Sequence, residues 1–310
     1  MKKICLMFPG QGSQSVGMGK DLYDKYPKAQ EIIDQSGEEL KKIIFEGPEE
    51  TLKLTKYTQP AIFTVSVAAF EVLKDKLDLQ RCGFTAAGHS LGEYSALCAA
   101  GFCSFKDGLA LVKARGAFIQ AASEKNPGSM VAVLGLDKEI LSDICKEVSN
   151  LGVCEMVNYN SPGQIVIAGQ IEALNKAIDI AKSKGALKSI MLNVSGAFHS
   201  SLMKEASDNM RSELGKYTFK EPSFGVWTNC DATLTNEQQE LKEKLVRQIN
   251  NPVKWDETIS NIIKDGFEYF VEIGPGKVLS GLLRRIDKSK KALNVEDSVG
   301  IEALKDYIGA

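Results

Sequence analysis

Histidine is nearly missing from this sequence: two residues, His89 and His199, stand in 310. So few imidazoles exclude a multi-histidine metal centre, and no metal is expected. Any histidine-dependent chemistry has two candidates. Cysteine occurs seven times but without a framework. The odd count and the irregular positions (5, 82, 98, 103, 145, 154, 230) contain no CxxC pair. They read as reduced, mostly buried thiols of a cytoplasmic protein. Neither sign of charge dominates, with 38 Lys plus Arg against 40 Asp plus Glu and a net charge of -2. That leaves no gross electrostatic footprint for nucleic acid. Long apolar runs are lacking too. Nothing approaches the ~20 residues of a membrane span. The opening MKKICLMF has an apolar run of about five, too short for the core of a signal peptide.

The length points to roughly two domains, or one large α/β unit with an insertion. A short buried strand over 4–8 leads into the loop PGQGSQ. Helical apolar spacing follows over 26–45 and 58–77, punctuated by Gly47-Pro48. A strand at 84–88 runs into a helix from Leu91, and a further helix covers 105–122. Strand and helix alternate, which implies a parallel sheet covered by helices. After Asn126-Pro127-Gly128 the pattern changes. Strand 129–134, helix 138–148, strands 154–159 and 164–168, helix 171–184 and strand 187–192 have the order βαββαβ, the ferredoxin-like plan. We therefore expect a catalytic core over 1–125 and 197–310, with a ferredoxin-like subdomain inserted at 126–196. Within the returning core we expect a helix over 200–214, a strand at 224–227, helices at 237–250 and 256–264, and a strand at 269–273. A helix from Lys277, a short strand and a final helix close the chain.

Gly88-His89-Ser90-Leu91-Gly92 is a G-x-S-x-G between a strand and a helix, the context of a nucleophile elbow. The chain reverses at Ser90, and the flanking glycines stand where a Cβ would come too close. The Leu91 N–H then opens the helix, where developing negative charge is favoured. An elbow serine needs a base. Side chains of neighbouring residues diverge at such a turn, so His89 reads as a packed residue beside the elbow. That leaves His199, ahead of a helix whose N-terminus would keep the ring neutral. No acid between them has a distinctive setting, so a carbonyl oxygen is a possible orienter of His199.

Arg115 stands in an apolar helical stripe, with Leu111, Val112, Phe118, Ile119 and Ala122 at helical spacings and no acid at its neighbour positions. A desolvated guanidinium needs a partner. A distant acid, snorkelling to water, or a substrate carboxylate held by the planar fork would each serve. The loop over 9–14 lacks the glycine spacing of a dinucleotide fingerprint and the lysine of a P-loop. Its Gln11 N–H is a second possible oxyanion donor. GPGK at 274–277 is a tight turn into a helix or part of a site wall. The basic run Arg284, Arg285, Lys288, Lys290 and Lys291 is a solvated face or a dock for an acidic partner.

Taken together, FPGQGSQ, GHSLGEYSAL, Arg115-Gly116, NSPGQIVIAG, Phe198-His199, RQINNPVKW and VEIGPGKVLSGL resemble malonyl-CoA:acyl carrier protein transacylases. The likeness runs in order over essentially the whole chain. It implies an α/β-hydrolase-like core with an inserted ferredoxin-like subdomain. It implies Ser90 as nucleophile, His199 as base, and the N–H groups of Gln11 and Leu91 as oxyanion hole. It puts Arg115 on the malonyl carboxylate and a Gln248 carbonyl beside His199. Phe198 is similar to the malonyl-selective pattern of synthase acyltransferase domains, where many stand-alone transacylases have a small residue. Ile119 replaces a frequent Met. The implied activity is malonyl transfer from malonyl-CoA to holo acyl carrier protein for fatty acid synthesis, by a monomer without a bound cofactor. The alternatives are malonyl transfer in polyketide synthesis, a serine thioesterase or hydrolase on the same elbow, and a non-catalytic acyl-CoA or carrier-binding module.

Overall fold

The structure, a computed structural model, describes residues 2–76 and 82–308. The expected helix end at Leu77 lies outside them, as do the outermost core positions 1, 309 and 310. Ten strands are present among the described residues: β1 (Lys2–Phe8), β2 (Cys82–Gly88), β3 (Ser129–Leu134), β4 (Cys154–Ser161), β5 (Gln164–Gly169), β6 (Lys188–Met191), β7 (Val226–Trp227), β8 (Leu234–Thr235), β9 (Tyr269–Ile273) and β10 (Ala292–Val295).

They form two sheets. The larger has the order β10-β9-β1-β2-β7-β8, parallel throughout except at its β7–β8 edge. Its central strand shows why the run Ile4 to Phe8 is continuously apolar. Ile4, Leu6 and Phe8 enter the main core, while Cys5 and Met7 face a second cluster with Trp255, Ile259 and Leu283. A strand covered on both faces needs apolar residues at both phases of its period-2 alternation. The chain leaves this sheet after β2 and returns at β7.

Between those points lies the smaller sheet, antiparallel, with the order β4-β5-β3-β6. Its elements run β3, helix Lys138–Glu147, β4, β5, helix Ile171–Ser183, β6. Alternation again sorts the faces. Val131, Val133, Ile165 and Ile167 pack under the two helices, and Met130, Val166 and Ala168 face the opposite way. Phe198 and Leu202 pack against both that second face and the main core, at the seam between the sheets.

Three expectations need correction. The helix over 26–45 is two, Pro27–Gln35 and Glu38–Glu46, because Gly37 at φ 95° interrupts the spiral. The helix after His199 does not start at 200: a short 3-10 turn, Ser201–Met203, precedes helix Lys204–Leu214. The strand at 224–227 shrinks to Val226–Trp227, paired with the unforeseen β8. No helix among the described residues is long and apolar enough to cross a membrane.

Candidate active site

β2 delivers the chain to the elbow, and helix Gly92–Ala99 carries it away. Ser90 sits between them at φ 52°, a left-handed conformation that costs a serine about 1–3 kcal/mol. Such strain persists only where the surroundings hold it. The Ser90 N–H donates to Asn229 Oδ1 at 2.7 Å, and Gln248 Nε2 donates to the Ser90 carbonyl at 2.8 Å. Asn229 Nδ2 also donates to Gly88 O at 2.7 Å, so one side chain clamps both ends of the turn. Gly88 and Gly92 are required by close approach. A Cβ on Gly88 would stand 1.9 Å from the Gly92 carbonyl carbon, and one on Gly92 would stand 2.0 Å from Phe8 O.

His199 closes on the serine from the seam between the sheets. Its Nε2 is 2.7 Å from Ser90 Oγ and its Nδ1 is 2.7 Å from Gln248 O. A carbonyl only accepts, so Nδ1 carries the proton and Nε2 is free to take one from Ser90. The carbonyl is available because Gln248 ends helix Gln238–Gln248, where the last carbonyls have no intrahelical partner. Pro252 bars the helix from continuing. The ring is buried, and burial first, then the Arg115 charge, pull its pKa down to about 3. His199 is therefore neutral, as expected, but not through the helix N-terminus invoked from the sequence: the 3-10 turn intervenes. His89 is no rival. Its Nε2 pairs with Asn160 Oδ1 at 2.8 Å and its ring lies against Trp255.

Arg115, from helix Phe105–Lys125, is only 2% exposed. It neither snorkels nor meets an acid. Its Nη1 donates to Gln59 Oε1 at 2.7 Å, and its Nη2 donates to Gln248 Oε1 at 2.9 Å and Ser90 Oγ at 3.1 Å. The guanidinium also lies over the Tyr94 ring, 5.6 Å from its centre. Its hydrogen-bond partners are neutral oxygens, a solution not foreseen, its Nε has none among the described residues, and the buried Glu93 carboxylate acts on its charge from the far side of Gln248. Among the described residues, the backbone N–H groups of Gln11 and Leu91 make no hydrogen bond.

A cavity of about 190 Å³ opens in front of Ser90. Gln11, Ser90, Phe198 and His199 line it, while Leu91, Arg115 and Gln248 do not. Its far wall comes from the smaller sheet and the segment after it: Met130, Val166, Leu192 and Val194. Val278, Leu279 and Leu282 also face it from the helix that the GPGK turn starts, while residues 274–277 of the turn itself do not line it. No group of three or more His, Cys, Asp or Glu among the described residues is placed to hold a metal ion.

The sequence reading missed Gln59, Glu93 and Asn229. Glu93 had a signal, an acid heading the apolar stretch YSALCAA. Asn229 had none, because its place depends on β7 lying beside β2.

A mixed α/β fold with a parallel-containing sheet thus presents a strained serine, a neutral histidine and a buried arginine at one point. The acyl transferase domain family matches residues 5–306, and the chain belongs to that family. It is 43% identical over 310 residues to the malonyl CoA-acyl carrier protein transacylase of Bacillus subtilis, covering 97% of this chain and 96% of that one. An acyl-carrier-protein S-malonyltransferase from Bartonella henselae superposes with a TM-score of 0.96 at 41% identity, over all of both chains. A malonyl-transacylase solved with its type II PKS acyl carrier protein gives a TM-score of 0.93 at 38% identity, covering 100% of each chain.

Proposed function

We propose that this protein transfers malonyl from malonyl-CoA to the phosphopantetheine thiol of holo acyl carrier protein through a malonyl-Ser90 intermediate, supplying extender units for fatty acid synthesis. The observation that carries this reading is the relay Ser90 Oγ–His199 Nε2 and His199 Nδ1–Gln248 O, both 2.7 Å, with Arg115 Nη2 3.1 Å from the same Oγ. His199 takes the serine proton as Oγ attacks the thioester carbonyl. The Gln11 and Leu91 N–H groups receive the oxyanion, each worth roughly 2.7–4 kcal/mol in sites of this kind. His199 returns the proton to the coenzyme A thiolate as it leaves. The carrier thiol then attacks the acyl-serine by the reverse sequence.

Arg115 holds the malonyl carboxylate. A guanidinium that hydrogen-bonds only neutral oxygens gains a charged partner when malonyl arrives and gains none from acetyl. Phe198 shapes the cavity beside His199. We read residues 1–125 and 197–310 as an α/β-hydrolase-like core and 126–196 as an inserted ferredoxin-like subdomain, in keeping with the strand orders above. Arg284, Arg285 and Lys288 are exposed on or just past helix Val278–Ile286, whose other end faces the cavity. That basic face is our dock for an acidic carrier protein. We take the protein to be a cytoplasmic monomer.

Incubation with radiolabelled malonyl-CoA tests the reading. Stable label on the wild type, absent from Ser90→Ala and discharged by holo carrier protein, is expected. Rapid release as free malonate would replace transfer with hydrolysis, and absence of label on the wild type would leave only binding.

A further inference from the structure

Glu93 lies three residues past the serine and is 0% exposed. A buried carboxylate is costly, and an apolar side chain in that place would be cheaper. The cost is not fully offset locally: Glu93 Oε1 has no hydrogen-bond partner among the described residues. Its other oxygen, Oε2, accepts from Gln248 Nε2 at 2.8 Å and from the Asn229 N–H at 3.1 Å. Those two residues make the contacts that define the site. Gln248 gives its carbonyl to His199, its Oε1 to Arg115 and its Nε2 to the Ser90 carbonyl. Asn229 gives its Oδ1 to the Ser90 N–H.

An amide presents oxygen on one side and nitrogen on the other, and it can turn over. A carboxylate only accepts, so it demands the Gln248 nitrogen and sends the oxygen towards Arg115. We propose that Glu93 is a positioning residue for acyl transfer: by gripping the Gln248 amide and the Asn229 backbone it holds Ser90, His199 and Arg115 in register. This rests on the acyl-transfer reading for what Ser90 does, but the positioning itself concerns only the serine–histidine pair.

Burial chiefly raises the Glu93 pKa, to about 7. The charged and titratable groups around it are Arg115, which lowers it, Asp231, which raises it, and Tyr94 and Cys230. Burial pushes the Tyr94 and Cys230 pKa values up, so both stay protonated near neutrality. Asp231 is held low by its hydrogen bonds and by Lys244, and His199 titrates only near 3. Burial draws His89, beside the elbow, below the ordinary imidazole value, so an inflection near pH 7 in Ser90 acylation that Glu93→Gln removes belongs to Glu93. The ionised carboxylate grips best, so the rate rises with pH through about 7.

Single-turnover acylation of Ser90 by malonyl-CoA, followed from pH 5 to 9, tests the proposal alongside labelling by a fluorophosphonate, which needs only an activated serine. Glu93→Ala is expected to slow both reactions about 10-fold or more. Glu93→Gln, whose side-chain oxygen accepts the same two bonds, should recover to within about 3-fold and lose the step near pH 7. Unfolding midpoints accompany each variant, and if the alanine variant does not fold, the glutamine variant's pH profile decides. Wild-type rates in folded Glu93→Ala, or a retained step in Glu93→Gln, would overturn the proposal. A wild type that takes fluorophosphonate but not malonyl would instead sink the malonyl reading, with the Glu93 pattern still legible in the phosphonate rates.

Discussion

Behind the elbow of the larger sheet lie Gln59, Glu93, Arg115, Asn229 and Gln248, none more than 2% exposed. The clusters on both faces of the smaller sheet are apolar throughout, and polarity there is confined to strand positions such as Ser129, Asn158 and Ser161. Both regions are densely buried, yet they use burial differently. In the smaller sheet it stabilises, at about 25 cal/mol per Å² of apolar surface. Behind the elbow it strengthens electrostatics, because charges and hydrogen bonds act further in a medium poorer in water. A change in one region should register in stability, and a change in the other in chemistry.

His199→Ala should break that contrast most visibly from the elbow side. Removal of the base is expected to lower acylation by roughly 10⁴- to 10⁶-fold, read by single-turnover kinetics, with the unfolding midpoint little moved. Arg115→Ala should come next. Loss of a buried charged partner predicts a fall of about 10²- to 10³-fold in kcat/KM for malonyl-CoA. Discrimination against acetyl-CoA should relax with it, and the malonyl-to-acetyl ratio is independent of the fraction of protein folded. Unchanged selectivity would remove Arg115 from substrate recognition. Ile167→Val sharpens the comparison from the other side. Ile167 is fully buried on β5, facing Val131 and Met156 across the sheet. The lost methylene should cost about 1 kcal/mol in denaturant unfolding, with kcat unchanged. A fall in kcat there would mean that the two regions are not separable.

The same division explains what the sequence revealed. In the smaller sheet, alternation and helical spacing placed β3 at its observed bounds and the neighbouring elements to within a residue or two, because each signal is local. Ser90 was legible from a motif with a steric reason behind it, and His199 from the scarcity of histidine. Arg115 announced itself by standing in an apolar stripe, but its partners did not. Gln59, Asn229 and the Gln248 side chain come from three distant segments, and only the assembled sheet brings them to the guanidinium and the elbow. Neutral His199 was foreseen, but its cause was misassigned, because burial and a neighbouring charge are tertiary quantities.

The backbone contact at Gly92 has a consequence for how such a protein can diversify. With Phe8 O 2.0 Å from where a Cβ on Gly92 would stand, β1, the elbow and the following helix are locked together by main chain rather than by side chains. Substitution has almost no purchase on that junction, although the Gln11 and His89 side chains beside it line the cavity. The opposite wall is apolar at Met130, Val166, Leu192, Val194 and Phe198 and polar at Asn158, Asn160 and Gln164, side chains that project from the smaller sheet and the segment after it. A library built to accept a bulkier acyl group is therefore best directed at that wall, with the main-chain junction left unaltered.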